Sequence, residues 1–524
     1  MNLILFYVLH AAFLYVPIKE SIHMLQQNRY QRERYHTWLK EAVHNDHKAF
    51  YKRLLSLLPL WTMCFVSHPL YLYLWYLCIG VYAYLYFKAD QKKVYIKKLV
   101  FTHRAKRLFI IHTLLCISLL YLIYLFVNDS VFILTMPFYY FMPWMILSAS
   151  ALICEPLEQW IKNSYVKDAE QILAQRDDLI KIGITGSYGK TSVKHILHTL
   201  LSEEYYTYMT PHSYNNLMGL TISIRTQLTS LHQVMIAEMG ADHVGEIDHL
   251  ACFIKPSIAV ITAVGPQHLS TFHTQENILN EKMRLIERLP FHGTAVLNYD
   301  NAYIRSYPIS HFVKRITYGI HYEDADVRAA HIKYSPKGTS FTLLYPGGEI
   351  MLETVLLGEH NVLNILAAVS VALSMKIKPE QIKAAVKRLR YVEHRLQARN
   401  MGSYTLLDDA YNSNPLGAGY ALDVLASMPN KRFLLTPGFL DLGEKTKEAH
   451  IAYAKKMLRC ADEIFLIGKK QTSDIYDTLC NENYPLDQIH ICDTTKEALT
   501  LLQQMVSEGD CALIENDLPD AFNH

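Results

Sequence analysis

The chain has 524 residues, a net charge of +2 and 19% charged residues. That length leaves room for roughly two to four domains, and the near-balanced charge excludes a general electrostatic pull toward nucleic acid. The nine cysteines are scattered with no Cys-x-x-Cys pair, so neither a zinc site nor a disulfide framework is indicated.

The first 155 residues read as a membrane domain. Apolar runs occur at 3–18, 54–66, 70–87, 108–127 and 131–153. A helix needs about 20 residues to cross the hydrocarbon; the last two runs reach that length and the first three are shorter. Between the runs, residues 19–53 hold eight Lys or Arg and residues 88–107 hold eight more, while the turns 67–69 and 128–130 hold none. The positive-inside rule puts both basic loops in the cytoplasm. Five spans would then leave the N-terminus outside and everything beyond Ile153 in the cytoplasm. The first run lacks a basic leader and a small-x-small cleavage site, so it does not read as a removed signal peptide.

Residues 155–178 are polar, with apolar residues at Leu157, Trp160, Ile161, Tyr165, Ala169, Ile172 and Leu173. That spacing predicts a one-sided linker helix. Then LIKIGIT (179–185) predicts a strand, GSYGKTS (186–192) a glycine loop and 193–201 a helix. Strand, glycine loop and helix in that order make a phosphate-binding loop. Gly186 and Gly189 let backbone N–H groups approach phosphate oxygens, with Ser187 and Ser192 alongside. Lys190 supplies positive charge, and Thr191 offers its hydroxyl to Mg²⁺. By itself the loop leaves a transporter subunit, a GTPase and a kinase open. Two further strands end in candidate metal ligands: QVMIAE (233–238) in Glu238, and SIAVITAV (257–264) shortly before His268.

Taken together, these segments resemble the Mur ligase family over about residues 180–518, closest to its D-alanyl-D-alanine-adding branch. ITGSYGKTS is followed, in the family's order, by YNNLMGL (214–220), AEMGADHVGEI (237–247), VITAVGPQHL (260–269), NEKMRLI (280–286), LGEHNVLNILAA (357–368), EHRL (393–396) and LDDAYNSNP (407–415). The resemblance implies a central ATP-binding α/β domain over 179–397 and a Rossmann-like α/β domain over 398–524, after a membrane domain (1–154) and a linker (155–178). It implies ATP and Mg²⁺, with Thr191, Glu238, His268 and a carbamylated Lys282 at the metals. It also implies Arg395 at the γ-phosphate, and His360, Asn361, Asn364, Asp409 and Asn412 around the nucleotide. Lys190, Lys282 and Arg395 are the implied catalytic residues. The implied reaction turns a carboxylate into an acyl phosphate at the expense of ATP, and an amine then displaces phosphate to leave an amide.

The sequence also departs from the family. The small domain that grips a UDP-sugar is replaced by the apolar N-terminal third, which points to a lipid-linked or membrane-held carboxylate acceptor and an amino-acid or dipeptide amine. FLLTPGFLDLGE (433–444) replaces the usual Leu-Gly-x-Met run, and LIENDLPDAF (513–522) stands where Lys-Gly-Ser-Arg is usual, leaving the amine open. The expected protein is a multi-pass membrane ligase of envelope biosynthesis. The alternatives are a tethered but otherwise ordinary D-alanyl-D-alanine-adding ligase, or a scaffold that has lost catalysis.

Overall fold

The computed structural model describes residues 3–28, 30–45, 71–91, 99–126, 138–267, 269–310, 312–335, 338–391, 396–410, 415–439 and 445–515. The chain divides into two compact units, Met1–Ser164 and Tyr165–His524.

The first unit is helical: α1 (Leu3–Gln27), α2 (Arg32–Asn45), α3 (Tyr71–Gln91), α4 (His103–Phe126) and most of α5 (Met142–Ala174). Phe13, Leu14, Ile79, Cys116, Leu120 and Leu147 are among its core residues. Polar contacts join the helices. Lys19 of α1 pairs with Asp90 of α3 at 2.5 Å, and Arg107 of α4 grips Glu158 of α5 through two nitrogens at 2.6 and 2.8 Å. On α4, Leu108, His112, Cys116 and Leu120 recur every four residues on the buried face. Ile110, Leu114, Leu122 and Leu125 are exposed on another face of the same helix.

Among the described residues α4 is the one helix long and apolar enough to cross a membrane, against the five spans expected. The run at 54–66 lies outside the described residues. So do residues 131–137 of the last run, whose described helix, α5, is apolar from Met142 to Ile153 before Glu155. The runs at 3–18 and 70–87 form helices that fall short for local reasons: Lys19 and Glu20 dilute the apolar character of α1, and tyrosine makes up much of α3. The predicted linker helix is the continuation of α5, which runs unbroken through Pro156 to Ala174.

The second unit holds two sheets. The first has the order β2-β3-β1-β4-β5-β6-β7-β8-β9, with β1 Ile180–Thr185, β2 Thr207–Met209, β3 Val234–Glu238, β4 Ile258–Ile261, β5 Thr294–Asn298, β6 Lys314–Gly319, β7 Val327–Ser335, β8 Gly338–Tyr345 and β9 Gly348–Thr354. Strands β2 to β7 are parallel and β7–β9 form an antiparallel meander. The meander therefore widens the central sheet itself.

Helices cover both faces of this sheet. They are α6 Lys190–Leu201, α7 Leu217–Gln227, α8 Glu246–Ile254, α9 Leu269–Phe272, α10 Gln275–Glu287, α11 Ala302–Ser306, α12 Glu359–Ser374 and α13 Pro379–Lys387. The strands show why. Val234 and Ile236 enter one core while Met235 and Ala237 enter the other, so a continuous apolar run is buried on both sides, as parallel sheets require. Helix α12 is apolar around most of its circumference and packs between α6 and strands β5–β7.

The second sheet has the order β10-β11-β15-β12-β13-β14. Its strands are β10 Gln397–Asn400, β11 Thr405–Asp409, β12 Arg432–Thr436, β13 Glu463–Ile467, β14 Ile489–Cys492 and β15 Cys511–Glu515, with helices α14 Pro415–Ala426, α15 Thr446–Cys460, α16 Ser473–Asn481 and α17 Thr495–Met505. In each sheet the chain reverses its direction of travel, beside β1 in the first and beside β15 in the second. Crevices at such switch points, outside the carboxyl ends of the strands, are where open α/β sheets bind ligands.

Candidate active site

The glycine loop connects the carboxyl end of β1 to α6. Gly189 caps the helix in the left-handed region at φ 82°, where a side chain would be strained. Space is short as well: a Cβ at Gly189 would lie 2.5 Å from Asn364 Oδ1 of α12, and one at Gly186 would lie 2.1 Å from Thr262 Oγ1. The loop is pinned to the end of β4. The Ser187 N–H donates to the Ala263 carbonyl at 2.7 Å, and the Ser187 hydroxyl donates to the Gly265 carbonyl at 3.1 Å. Lys190 folds back over the loop, its Nζ 2.6 Å from the Gly186 carbonyl and 3.3 Å from that of Ser187.

Glu238, the last residue of β3, stands opposite. It is 1% exposed, and the Thr191 hydroxyl lies 3.2 and 3.1 Å from its two oxygens. Burial raises its carboxyl pKa, but the Lys194 and Lys190 ammonium groups outweigh that, and the net direction is down. The carboxylate is ionised.

The segment after Glu238 explains the AEMGADHVGEI motif. Gly245 takes φ 94° before α8. The Glu246 carboxylate turns back to accept from Asp242 N and His243 N at 2.7 and 3.0 Å. Glu281 of α10 accepts from Gly245 N and Ile247 N at 2.8 and 2.6 Å, which satisfies open N–H groups at the start of α8. Its neighbour Lys282 is 3% exposed, with Nζ 3.5 Å from the Ala241 carbonyl. Burial first, then the Lys190 charge, pushes the Lys282 pKa down to about 7, against the pull of Glu281, Asp242 and Glu246. Near neutral pH a large share of this side chain is the free, nucleophilic amine.

A cavity of about 660 Å³ is lined by Ser187, Gly189, Lys190, Thr191, Ser192, Glu238, His360, Asn361, Asn364 and Asp409 of the expected residues. Gly186 and Lys282 are not among its lining residues. His268, Arg395 and Asn412 lie outside the described residues. The second sheet contributes Asp409 and Glu515, side by side at the ends of β11 and β15. Tyr420 of α14 stacks on His360 at 5.6 Å between ring centroids. Burial pushes the His360 pKa down to about 4, so the ring is neutral, and its buried Nδ1 has no hydrogen-bond partner among the described residues. Gly358 caps α12, and Asn361 donates from Nδ2 to the Leu357 carbonyl at 2.8 Å.

The residues fit a nucleotide polyphosphate with a hard divalent cation. The two glycines leave a cradle that a Cβ would fill, and the Thr191 hydroxyl and ionised Glu238 carboxylate are the hard oxygen donors Mg²⁺ takes. Among the described residues no group of three or more His, Cys, Asp or Glu side chains could hold a metal. Of the expected metal set, then, Thr191 and Glu238 meet in the described part. Lys282 as an amine brings no oxygen.

Sequence reading missed Lys194, Asn215, Thr262, Asp300 and Tyr420. Asn215 donates to Glu238 Oε1 at 3.2 Å, and Asp300 accepts from Ile320 N, His321 N and Tyr322 N at 2.7, 3.0 and 2.8 Å. One signal was available: Lys194 falls inside the apolar stripe of α6, with Val193, Ile196 and Leu197, where a lysine is rarely buried without a partner.

Family comparison decides which kind of phosphate-binding enzyme this is. Residues 184–372 match the Mur ligase middle domain and residues 394–515 the Mur ligase glutamate ligase domain. The chain carries the middle and C-terminal domains of a Mur ligase. Similar proteins include the UDP-N-acetylmuramoyl-tripeptide--D-alanyl-D-alanine ligases of Escherichia coli, 28% identical over 62% of this chain and 74% of the relative, and of Bacillus subtilis, 27% identical over 64% and 72%. The matched part of the Haemophilus influenzae ligase is 59% of its length, at 29% identity over 51% of this chain. The fold resembles that of MurF ligase from Thermotoga maritima, solved with ADP, at a TM-score of 0.62 and 24% identity over 68% of this chain and 80% of that one. Mur ligases form amide bonds at the expense of ATP and use Mg²⁺, and the chain is an ATP-dependent ligase of this type.

Proposed function

We propose that this Mur ligase joins a carboxylate acceptor to an amino-acid or dipeptide amine in envelope biosynthesis, at the cytoplasmic face of a membrane to which its N-terminal unit attaches it. The observation carrying the chemistry is the convergence of Lys190, Thr191, Glu238, His360 and Asp409, from two α/β domains, on one cavity. An acceptor carboxylate oxygen attacks the γ-phosphorus of ATP, and ADP leaves. The amine then attacks the resulting acyl phosphate. Its extra proton passes to solvent or a base, and phosphate departs with the electron pair of the broken C–O bond.

Each residue role follows from charge. Bringing a carboxylate to a polyphosphate opposes anions, and the Lys190 ammonium offsets that repulsion where charge builds up. Thr191 and Glu238 would hold Mg²⁺, which when bound adds further positive charge at the phosphate oxygens. Lys282, half deprotonated near neutrality, is suited to take up CO₂ as a carbamate and so become an oxygen donor. His360 offers its Nδ1, unpartnered among the described residues, to the nucleotide from beside Tyr420, and Asp409 reaches it from the second domain. His268, Arg395 and Asn412 keep the metal, γ-phosphate and nucleotide roles implied by the family's motifs.

The exposed Ile110–Leu125 stripe of α4 supports membrane attachment, because an exposed apolar face of that length asks for lipid or a partner. An acceptor held in the same membrane makes use of that attachment. The names of the relatives favour a second reading, in which the acceptor is UDP-N-acetylmuramoyl-tripeptide and the amine D-alanyl-D-alanine. Detergent-purified full-length protein given ATP, Mg²⁺ and D-alanyl-D-alanine separates the two. Phosphate release and a new amide with membrane lipid extract, but not with the UDP-tripeptide, supports the lipid-linked acceptor; the converse supports the soluble one. No phosphate with any carboxylate and amine pair removes the ligase reading altogether.

A further inference from the structure

The Lys194 side chain is fully buried, 0% exposed, with Nζ 3.1 Å from Glu238 Oε2. It also donates to the His212 carbonyl at 2.5 Å. Lys194 lies one helical turn beyond Lys190 on α6 and is not among the residues that line the cavity. An ammonium is costly to bury unless it is paired and hydrogen-bonded, and both conditions are met here. The arrangement has a consequence for the cavity. Lys194 takes Oε2 from the protein interior, Asn215 takes Oε1, and the Thr191 hydroxyl approaches both oxygens from the cavity side. The 2.5 Å contact to His212 ties down the same loop that carries Asn215, three residues further on. One buried cation therefore holds the carboxylate directly and the loop of its second donor indirectly.

We infer that Lys194 is a positioning residue, which fixes the Glu238 carboxylate toward the cavity and thereby sets how tightly the site holds Mg²⁺. This rests on the reading of Glu238 as a magnesium ligand. Groups that orient a metal ligand from behind are worth about 10–100-fold in metal affinity. A merely structural lysine would change stability and leave metal affinity alone.

The test uses the full-length protein in detergent, a fluorescent ADP analogue titrated at varied Mg²⁺, and thermal melting in EDTA. In Lys194→Met the Mg²⁺ concentration for half-maximal enhancement of ADP binding should rise by about 10–100-fold, with ADP affinity in EDTA unchanged. An unchanged or lowered Mg²⁺ requirement overturns the inference. Because Lys194→Met leaves a buried carboxylate unpaired, the double variant Lys194→Met/Glu238→Gln guards against loss of the fold. Removing both charges should restore melting in EDTA toward wild type, and its Mg²⁺ requirement should equal that of Glu238→Gln alone. A further loss in the double variant beyond Glu238→Gln would show Lys194 acting elsewhere and defeat the proposal. Wild type without any Mg²⁺-dependent ADP binding would sink the magnesium reading itself, whereas normal wild-type binding with an indifferent Lys194→Met sinks only this inference.

Discussion

Lys190 and Lys282 show how position changes the chemistry of one side-chain type. Lys190 faces the cavity and is held by the loop's own carbonyls; as the loop's phosphate-facing cation it should matter to turnover more than to folding. Lys190→Ala is expected to cut kcat for ADP formation by about 10²–10³-fold while melting near wild type. Lys282 is buried, and its folded pKa of about 7 lies far below the ordinary lysine value of about 10.4. The unfolded chain therefore binds more protons between those two values, and stability falls as pH drops from about 10 to 7. In bicarbonate-free buffer Lys282→Met should be more stable than wild type at pH 7, with the gap closing toward pH 10. Urea melts at both pH values check this, and a gap independent of pH would contradict the burial argument.

At the scale of single elements, the loop between β1 and α6 is held open by what it lacks. Gly189→Ala places a side chain in the left-handed region, costing about 1–2 kcal/mol, and drives the new methyl against Asn364. Adding Asn364→Ala should recover the part due to the clash and none of the backbone strain, so the double variant should melt between the single variant and wild type. The loop, its flanking strand and helix, and Glu238 were all legible in the sequence because each depends on near neighbours. Glycine spacing, an apolar run and a strand end are local facts. The partnerships of Lys194, Asn215 and Asp300 were not legible, since they cross chain folds: Glu238 is supplied by a strand that pairs with β1 only after β2 has been laid outside it. The meander β7–β9 is a similar case. Its addition to the central sheet is decided by pairing with β6.

For the whole molecule, the two α/β domains share one cavity, and the proposed membrane attachment rests on the N-terminal unit. Full-length protein should sediment with membranes and resist release by salt or carbonate. Leu114→Lys, near the middle of the exposed face of α4, should weaken that hold by about 2.5–3.5 kcal/mol, while phosphate release from ATP by the detergent-solubilised protein stays unchanged. Release of the unaltered protein by salt alone would rule out membrane insertion.

By itself the sequence determined the two ligase domains, the order of their motifs and the nucleotide loop, because these are written in short-range spacing and strand-end residues. It overstated the spans among the described residues: apolar runs record hydrophobicity, and the tyrosines of α3 and the charges of α1 dilute it. Only the tertiary structure decided how Glu238 is held, why Lys282 has an unusual proton affinity, and that Glu515 stands beside Asp409 at the shared cavity. Those properties arise from burial and from charges brought together across the fold, and neither exists until the chain has closed on itself.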